Sequence, residues 1–497
     1  MGQDRRAKRW LPGVGMVIAL VAAPVASAAP WLESGKLQLR SDLELLAAHR
    51  LINPLVTEWP VPRGQLLALD EDALRAQPLY VQVAARRVQA ALSDDEFSQT
   101  VDARFASRPA VVRRFDTVAR DEADIRAGLQ WNGETIGGAL RVGALYDEPD
   151  RDLDATLDGS YLTALLGNIR IYGGWVERWD GPGWTSSLIL SNNARPFPKI
   201  GLMREDPRPA ESRWLSWLGP WQVNFFLGYL DDDRIDDDTA FGSLRLSISP
   251  LPGLELTAMR SVEFCGKGHE CKPLDAAFHL NNDDRSTNST NDEATLEIKY
   301  TGVHRGITVS PYFQMMNEDT GPFTHSYTSH LGGLSLAGPW RDRGAHWRAT
   351  LEYVDTAATY NAFDFSRHFH GIAYGNAGYP DGFRYRGRTL GFSLDSDSKL
   401  ASLDLRFFDE AGRSYSLTAF RARISSPELA AIQASGESPY QYNVVSAASR
   451  AFNEIDAGVS VPLSFMTIDL IVRARSKALP DHLGDRVDGE LGFSFRF

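Results

Sequence analysis

The hydrophobic pattern of this chain changes period once. Up to about residue 107 apolar residues recur at helical spacing, and from Asp124 to the end they recur at every second position. Trp221, Val223, Phe225, Leu227 and Tyr229 alternate with Gln222, Asn224 and Gly228. Leu296, Ile298 and Tyr300 alternate with Thr295, Glu297 and Lys299, and Trp347, Ala349, Leu351 and Tyr353 with Arg348, Thr350 and Glu352. The chain closes the same way: Val487, Gly489, Leu491, Phe493, Phe495 and Phe497 against Arg486, Asp488, Glu490, Gly492, Ser494 and Arg496. Each stretch predicts a strand with one apolar and one polar face. A β-sandwich also sends polar faces to water. A sandwich protein of this length, however, needs several domains and linkers, and 124–497 reads without interruption. The pattern therefore predicts a mainly β fold, a large antiparallel transmembrane β-barrel of about 18 strands, apolar outside and wet and charged inside. Closure leaves no open sheet edge.

Turns such as Asn132-Gly133, Pro250-Leu-Pro252 and Val461-Pro462-Leu463 are short, and the long loops are expected at about 192–219, 262–292, 356–385 and 425–449. Barrels of this kind place short turns in the periplasm and long loops outside. The alternation does not close, because three expected strands separate the last two long loops. An even strand number is required if the N-terminal helices and Phe497 both face the periplasm.

Before the barrel, Ser41 and Glu44 have the spacing of a capping box, followed by Leu43, Leu46 and Ala47 on one helical face. Asn53-Pro54 ends that helix and Trp59-Pro60-Val61-Pro62 reads as a rigid link. A short helix is expected around 64–76 and a longer one from Pro78 to Ser107, with Val81, Ala84, Ala85, Val88 and Leu92 on its buried face. The expected organisation is a leader over 1–28, a small helical periplasmic domain over 29–120 and the barrel over 121–497. The leader rests on Arg5, Arg6, Lys8 and Arg9, the apolar run Val14 to Ala23 and the small residues Ala26-Ser27-Ala28. No later stretch reaches the ~18 apolar residues of a membrane helix.

The formal net charge of −12 gives no basic face for nucleic acid. In an exported chain Cys265 and Cys271 predict a small disulfide loop. His269 between them raises a metal as the alternative, one ligand short of a closed four-ligand site. The acidic run Asp231 to Asp238 lacks the Gly and terminal Glu of a calcium loop and reads as a solvated turn. His368-Phe-His370 reads as a loop pair of histidines. No spacing calls for a cofactor, and none places a histidine beside a plausible nucleophile.

The most distinctive stretch is 168–204, with Asn168-Ile-Arg-Ile-Tyr-Gly-Gly-Trp175, Trp179-Asp-Gly-Pro-Gly-Trp184, Ser187-Leu-Ile-Leu-Ser191 and Asn192-Asn-Ala-Arg-Pro196. With these residues the chain resembles the Wzi family of outer-membrane capsule-assembly proteins. Arg40-Ser-Asp-Leu43, Ile52-Asn-Pro54, Trp59-Pro60 and Tyr385-Arg-Gly-Arg388 with Gly391 add to the resemblance, which spans about 31–497. It implies a periplasmic helical bundle, an 18-stranded barrel and a non-enzymatic role, binding capsular polysaccharide or exopolysaccharide and holding it at the cell surface. It supplies no catalytic set.

The binding residues expected here come from chemistry instead. Indole faces suit the C–H faces of sugar rings, so Trp179 and Trp184 are candidates. Asn192, Asn193 and Arg195 are candidates for hydroxyls or uronate carboxylates. The competing reading makes Trp175 and Trp179 part of an interfacial aromatic girdle, and 192–196 a structural bend. Expected partners are the polysaccharide, outer-membrane lipid and lipopolysaccharide, and the barrel-assembly machinery through the Phe497 strand. A diffusion channel on the same fold is the alternative function, distinguished by an unobstructed lumen.

Overall fold

The alternating stretches close into a barrel in the computed structural model, which describes residues 29–66, 69–92, 97–133, 135–147, 152–271, 290–318, 327–341, 344–480 and 483–497. The expected leader lies outside the described residues. Eighteen antiparallel strands form the wall. Three short segments, Asp152–Thr156, Gly302–His304 and His368–Phe369, pair onto strands already in that count. The first strand, Phe97–Ala106, closes the sheet against the last, Val487–Arg496, with Leu491 opposite Phe105 and Phe495 opposite Val101.

The two faces fall as the alternation requires. Leu227, Leu244, Leu246, Ile298, Leu351 and Ile455 are exposed outward, whereas Asn224, Arg245, Glu297, Arg348 and Glu454 are buried inward. Such a belt of exposed apolar side chains on a closed sheet is the surface of an outer-membrane barrel. The first strand begins and the last strand ends at one rim, as an even strand number demands. At that rim Trp340, Phe407 and Tyr415 form an aromatic chain with ring centres 5.7 and 6.1 Å apart. This is the aromatic girdle of the periplasmic interface.

Three expectations need correction. Helix α3 stops at Leu92 (Leu79–Leu92) and does not run to Ser107. The chain from Phe97 onward alternates, with Phe97 and Phe105 exposed and Ser98 and Arg104 buried, so the barrel begins there, inside the stretch assigned to the helical domain. Helix α1 (Leu37–Ala48) starts a turn before Ser41, with Lys36 as its cap residue, so Ser41 and Glu44 form no capping box. Both point into the barrel wall instead. Between α1 and α3 lie a single 3₁₀ turn (Arg63–Gln65) and the five-residue α2 (Glu71–Arg75), where one short helix was expected.

The third correction restores the loop parity. A six-residue strand, Lys199–Arg204, lies within the expected 192–219 loop, pairing with Ile169–Gly174 on one side and Trp221–Tyr229 on the other. Its flanking prolines and its length concealed it. Residues 205–220 thereby become a periplasmic loop, exposing Trp214 and Trp217. Two strands, Lys399–Phe408 and Ser414–Ile424, separate the last two outer loops.

The lumen is charged, as expected, but largely filled. Helix α1 occupies it from the periplasmic side: Ser41 Oγ lies 3.0 Å from His346 Nε2, while Glu44 accepts from Arg348 at 2.8 Å and pairs with Lys299. Arg87 of α3 clamps Asp42 of α1 through two bonds of 2.7 and 2.8 Å. From the outer side, segments 107–122, 175–198 and 360–398 fold inward and bury Phe115, Trp179, Leu188, Tyr374 and Phe392. The expected rigid link joins both systems: Glu58–Trp59 pairs with Trp179–Asp180, and Val61–Pro62 with Trp31–Leu32.

Candidate functional site

The Trp-rich stretch is the centre of this inward packing. Trp179 is fully buried, and its indole N–H donates to the Gly183 carbonyl at 3.2 Å. Phe115 stands edge-on to Trp179 at 5.4 Å and to Trp59 at 5.0 Å. Trp184 is 4% exposed, and the guanidinium carbons of Arg40 and Arg348 lie 4.5 and 4.4 Å from its ring centre. Both indoles are thus in use: their faces meet phenyl or guanidinium groups, and no sugar ring reaches them in this arrangement. Nor is Trp179 part of a membrane girdle, since it lies inside the barrel.

Arg40 is the organising residue that pattern-reading missed. Its side chain reaches Phe115, Trp179 and Trp184 and donates to the Pro182 carbonyl at 2.9 Å. Burial lowers its pKa to about 10, partly offset by Glu44. The turn it touches has little room: a Cβ on Gly183 would stand 2.2 Å from the Ser186 carbonyl oxygen. The Trp184 backbone N–H donates to Glu352 at 2.7 Å, and Glu352 also accepts from Tyr312 at 2.7 Å. The same close packing explains Gly391, where a Cβ would meet the Leu188 carbonyl oxygen at 2.1 Å.

Asn193 is also structural. It is buried, and its amide donates to the Thr389 carbonyl at 2.8 Å. Asn192 and Arg195 differ in being partly accessible. Asn192 donates to the Phe115 carbonyl at 3.1 Å. Arg195 bridges Asp158 (3.1 Å) and Asp154 (3.0 Å), and Asp154 is also met by Arg386 at 3.4 Å. Asn192 and Arg195 line a crevice of about 20 Å³ with Arg120, Glu177, Arg178 and Lys199. The structure therefore brings Asn192 and Arg195 together at a basic crevice and separates them from the tryptophans, which lie in the core.

Glu177 is the wall between this crevice and a larger cavity of about 520 Å³ beneath it, which it also lines. Burial by itself would raise its pKa, but Arg120 and Arg126, each 3.3 Å away, together with Arg141 pull it down to about 2. The carboxylate is thus held ionised as a fixed ionic partition. The lower cavity is lined by Thr100, Ser416, Ser460, Ser494 and the charged residues Asp102 and Arg104, among others.

The remaining candidates resolve into loop ties. Cys265 and Cys271 form the expected disulfide. His269 stacks on Tyr379 at 4.1 Å and meets Asp236 at 3.1 Å. The acidic run is not merely solvated: Asp231 accepts from Tyr385, Asp232 from the Arg386 backbone, and Arg234 pairs with Glu263 at 2.8 Å. His368 bonds the Ala357 carbonyl while His370 bonds Asp397 at 2.5 Å, so the two do not converge. Ser426 stands 3.2 Å from His370 and 2.9 Å from Asp397. A relay needs acid and nucleophile on different ring nitrogens. Here both meet Nδ1, and Ser426 caps helix α4 (Pro427–Ser435). The Asp397 hydrogen bond raises the His370 pKa, against a smaller opposing effect of burial.

Known proteins share this architecture. A family model described as capsule assembly protein Wzi matches residues 93–438. A 55.8 kDa protein from the cps region of Klebsiella pneumoniae, itself uncharacterized, is 24% identical over 319 residues. That alignment spans 62% of either chain, less than two thirds of the relative's length. A solved structure of Escherichia coli Wzi superposes with a TM-score of 0.79 at 22% identity, covering 94% of this chain and all of the other. The structure of that protein is described as a carbohydrate-binding β-barrel of the outer membrane involved in group 1 capsule assembly.

Proposed function

The chain belongs to the Wzi family of capsule assembly proteins, and from that premise we propose that it binds capsular polysaccharide or exopolysaccharide and anchors it at the outer face of the outer membrane, without catalysis. The observation that carries this reading is the filled lumen. Among the described residues, helix α1 from below and three inward-folded segments from above occupy the lumen, which disfavours the diffusion-channel alternative. A barrel that does not conduct but presents a scaffold of outer loops suits a surface binder. Within the proposal, Asn192 and Arg195 contact the glycan at the basic crevice, where a guanidinium can exchange Asp154 for a uronate. Trp179, Trp184 and Asn193 set the shape of that crevice from within. Lipopolysaccharide and, through the Phe497 strand, the barrel-assembly machinery are the proposed membrane partners.

The test is polymer partitioning. Deleting the gene should leave total polysaccharide constant and move it from the cell pellet to the medium, and Arg195→Ala should reproduce part of that release with the barrel folded at wild-type abundance. Unchanged partitioning in the deletion strain would overturn the anchoring role. Unchanged partitioning in Arg195→Ala alone would move the contact elsewhere on the outer loops.

A further inference from the structure

The lipid-facing wall bears an unneutralised basic notch that glycan retention does not use. Strand Ser414–Ile424 carries Tyr415, Leu417, Ala419, Arg421 and Arg423 on its outer face, in that order from the periplasmic rim. Counting from the girdle residue Tyr415, Arg421 stands about 20 Å along the strand, or about 15 Å up the membrane normal at the usual tilt. Both arginines therefore sit in the outer-leaflet half of an apolar band about 25 Å tall. On the adjoining strand the outward charge is neutralised: Lys399 pairs with Asp355 at 2.6 Å. Among the described residues no carboxylate lies within ion-pair distance of Arg421 or Arg423.

The surroundings leave room for a ligand. In the sheet register Arg421 lies opposite Ala401 and Asn453, and Arg423 opposite Lys399 and Ala451. Ala401 and Ala451 thus leave space on one side of each arginine, and Leu403 and Ile455, both exposed, flank Ala419 just below. A lone cation facing lipid costs up to ~4 kcal/mol at mid-membrane and little near the interface. Two arginines on one strand face, with Cα atoms about 7 Å apart, instead match a phosphorylated headgroup, which arginine binds through paired hydrogen bonds.

We propose that Arg421 and Arg423 form a docking notch for the phosphorylated sugar headgroup of lipid A, with Leu403 and Ile455 against its acyl chains. The proposal deepens the lipopolysaccharide contact named above. It rests on the outer-membrane orientation of the barrel and is independent of glycan retention.

The experiment uses the full mature protein in detergent, titrated with bisphosphorylated lipid A, with the same lipid after removal of its phosphates, and with phosphatidylglycerol vesicles, reading the temperature at which the folded band disappears on gels. Bisphosphorylated lipid A should raise that temperature by several degrees in the wild type, and the dephosphorylated lipid should not. The double variant Arg421→Ala/Arg423→Ala should lose the shift and retain at least tenfold less co-purified lipid A, while Arg213→Ala on the periplasmic loop behaves as wild type. An equal shift from dephosphorylated lipid A or from phosphatidylglycerol, or an unaltered double variant, would overturn the proposal. If the double variant did not fold, the comparison of the lipids on the wild type decides by itself.

Discussion

At the scale of single residues, the contrast between Trp184 and Arg195 separates architecture from contact. Both stand out in the sequence, and both belong to one short stretch. Trp184 is enclosed by Arg40, Arg348 and the Glu352 hydrogen bond, whereas Arg195 is partly open and held by two aspartates. Trp184→Ala should therefore act on folding, at a cost of about 3–5 kcal/mol, and a thermal gel-shift assay should show an earlier transition. An unchanged transition would return the indole to the list of accessible binding groups. Composition alone did not make this distinction, because an indole suits a sugar face and a buried core equally well. What was legible was that the stretch matters. What was not legible was its depth, since that depends on Arg40, Phe115 and Arg348, which lie up to 164 positions from Trp184 and come together only when the loops turn inward.

At the scale of elements, most wall strands and the buried stripe of α3 (Val81, Ala84, Ala85, Val88 and Leu92) were readable, and the ends of elements were not. A strand of the wall announces itself by period, since one face meets lipid and the other a charged interior. The stretch from Phe97 to Ala106 was absorbed into a helix because it follows directly on a true helical stripe, with only Ser93-Asp94-Asp95-Glu96 between. Helix α1 misled for a different reason. Ser41 and Glu44 have the spacing of a cap, but their side chains serve the barrel wall, where Glu44 holds Lys299 and Arg348. Glu44→Ala would leave two buried cations without their shared carboxylate, a loss of about 3–5 kcal/mol. Hydrogen exchange should then accelerate through α1 while the wall strands keep their protection. The exposed cap Asp70 of α2, replaced by alanine, should affect only that short helix, by about 1 kcal/mol.

At the scale of the whole molecule, the alternation predicted a closed cylinder and left open whether it conducts. The inward-facing charges look alike whether they line water or grip a plug. The structure distinguishes the two by the partners: Arg348 and Lys299 are bonded to helix α1, and Arg245 and Glu352 to inward-folded segments at Thr57 and Trp184, rather than left facing a channel. Reconstituted into planar bilayers, the protein should show no stable conductance steps, and steps of porin size in the wild type would restore the channel reading. The cavity of about 520 Å³ and the crevice share Glu177 as a lining residue, held there by Arg120 and Arg126.

The seam between the first and last strands has a consequence for biogenesis. The cylinder cannot shut until Glu490–Arg496 of the last strand have been made and paired onto Thr100–Ala106 of the first. Helix α1 precedes that seam in the chain yet ends up walled in, gripped by residues from two separate strands. Helix α1 thus fastens the sheet from within, while the last strand fastens it at the seam.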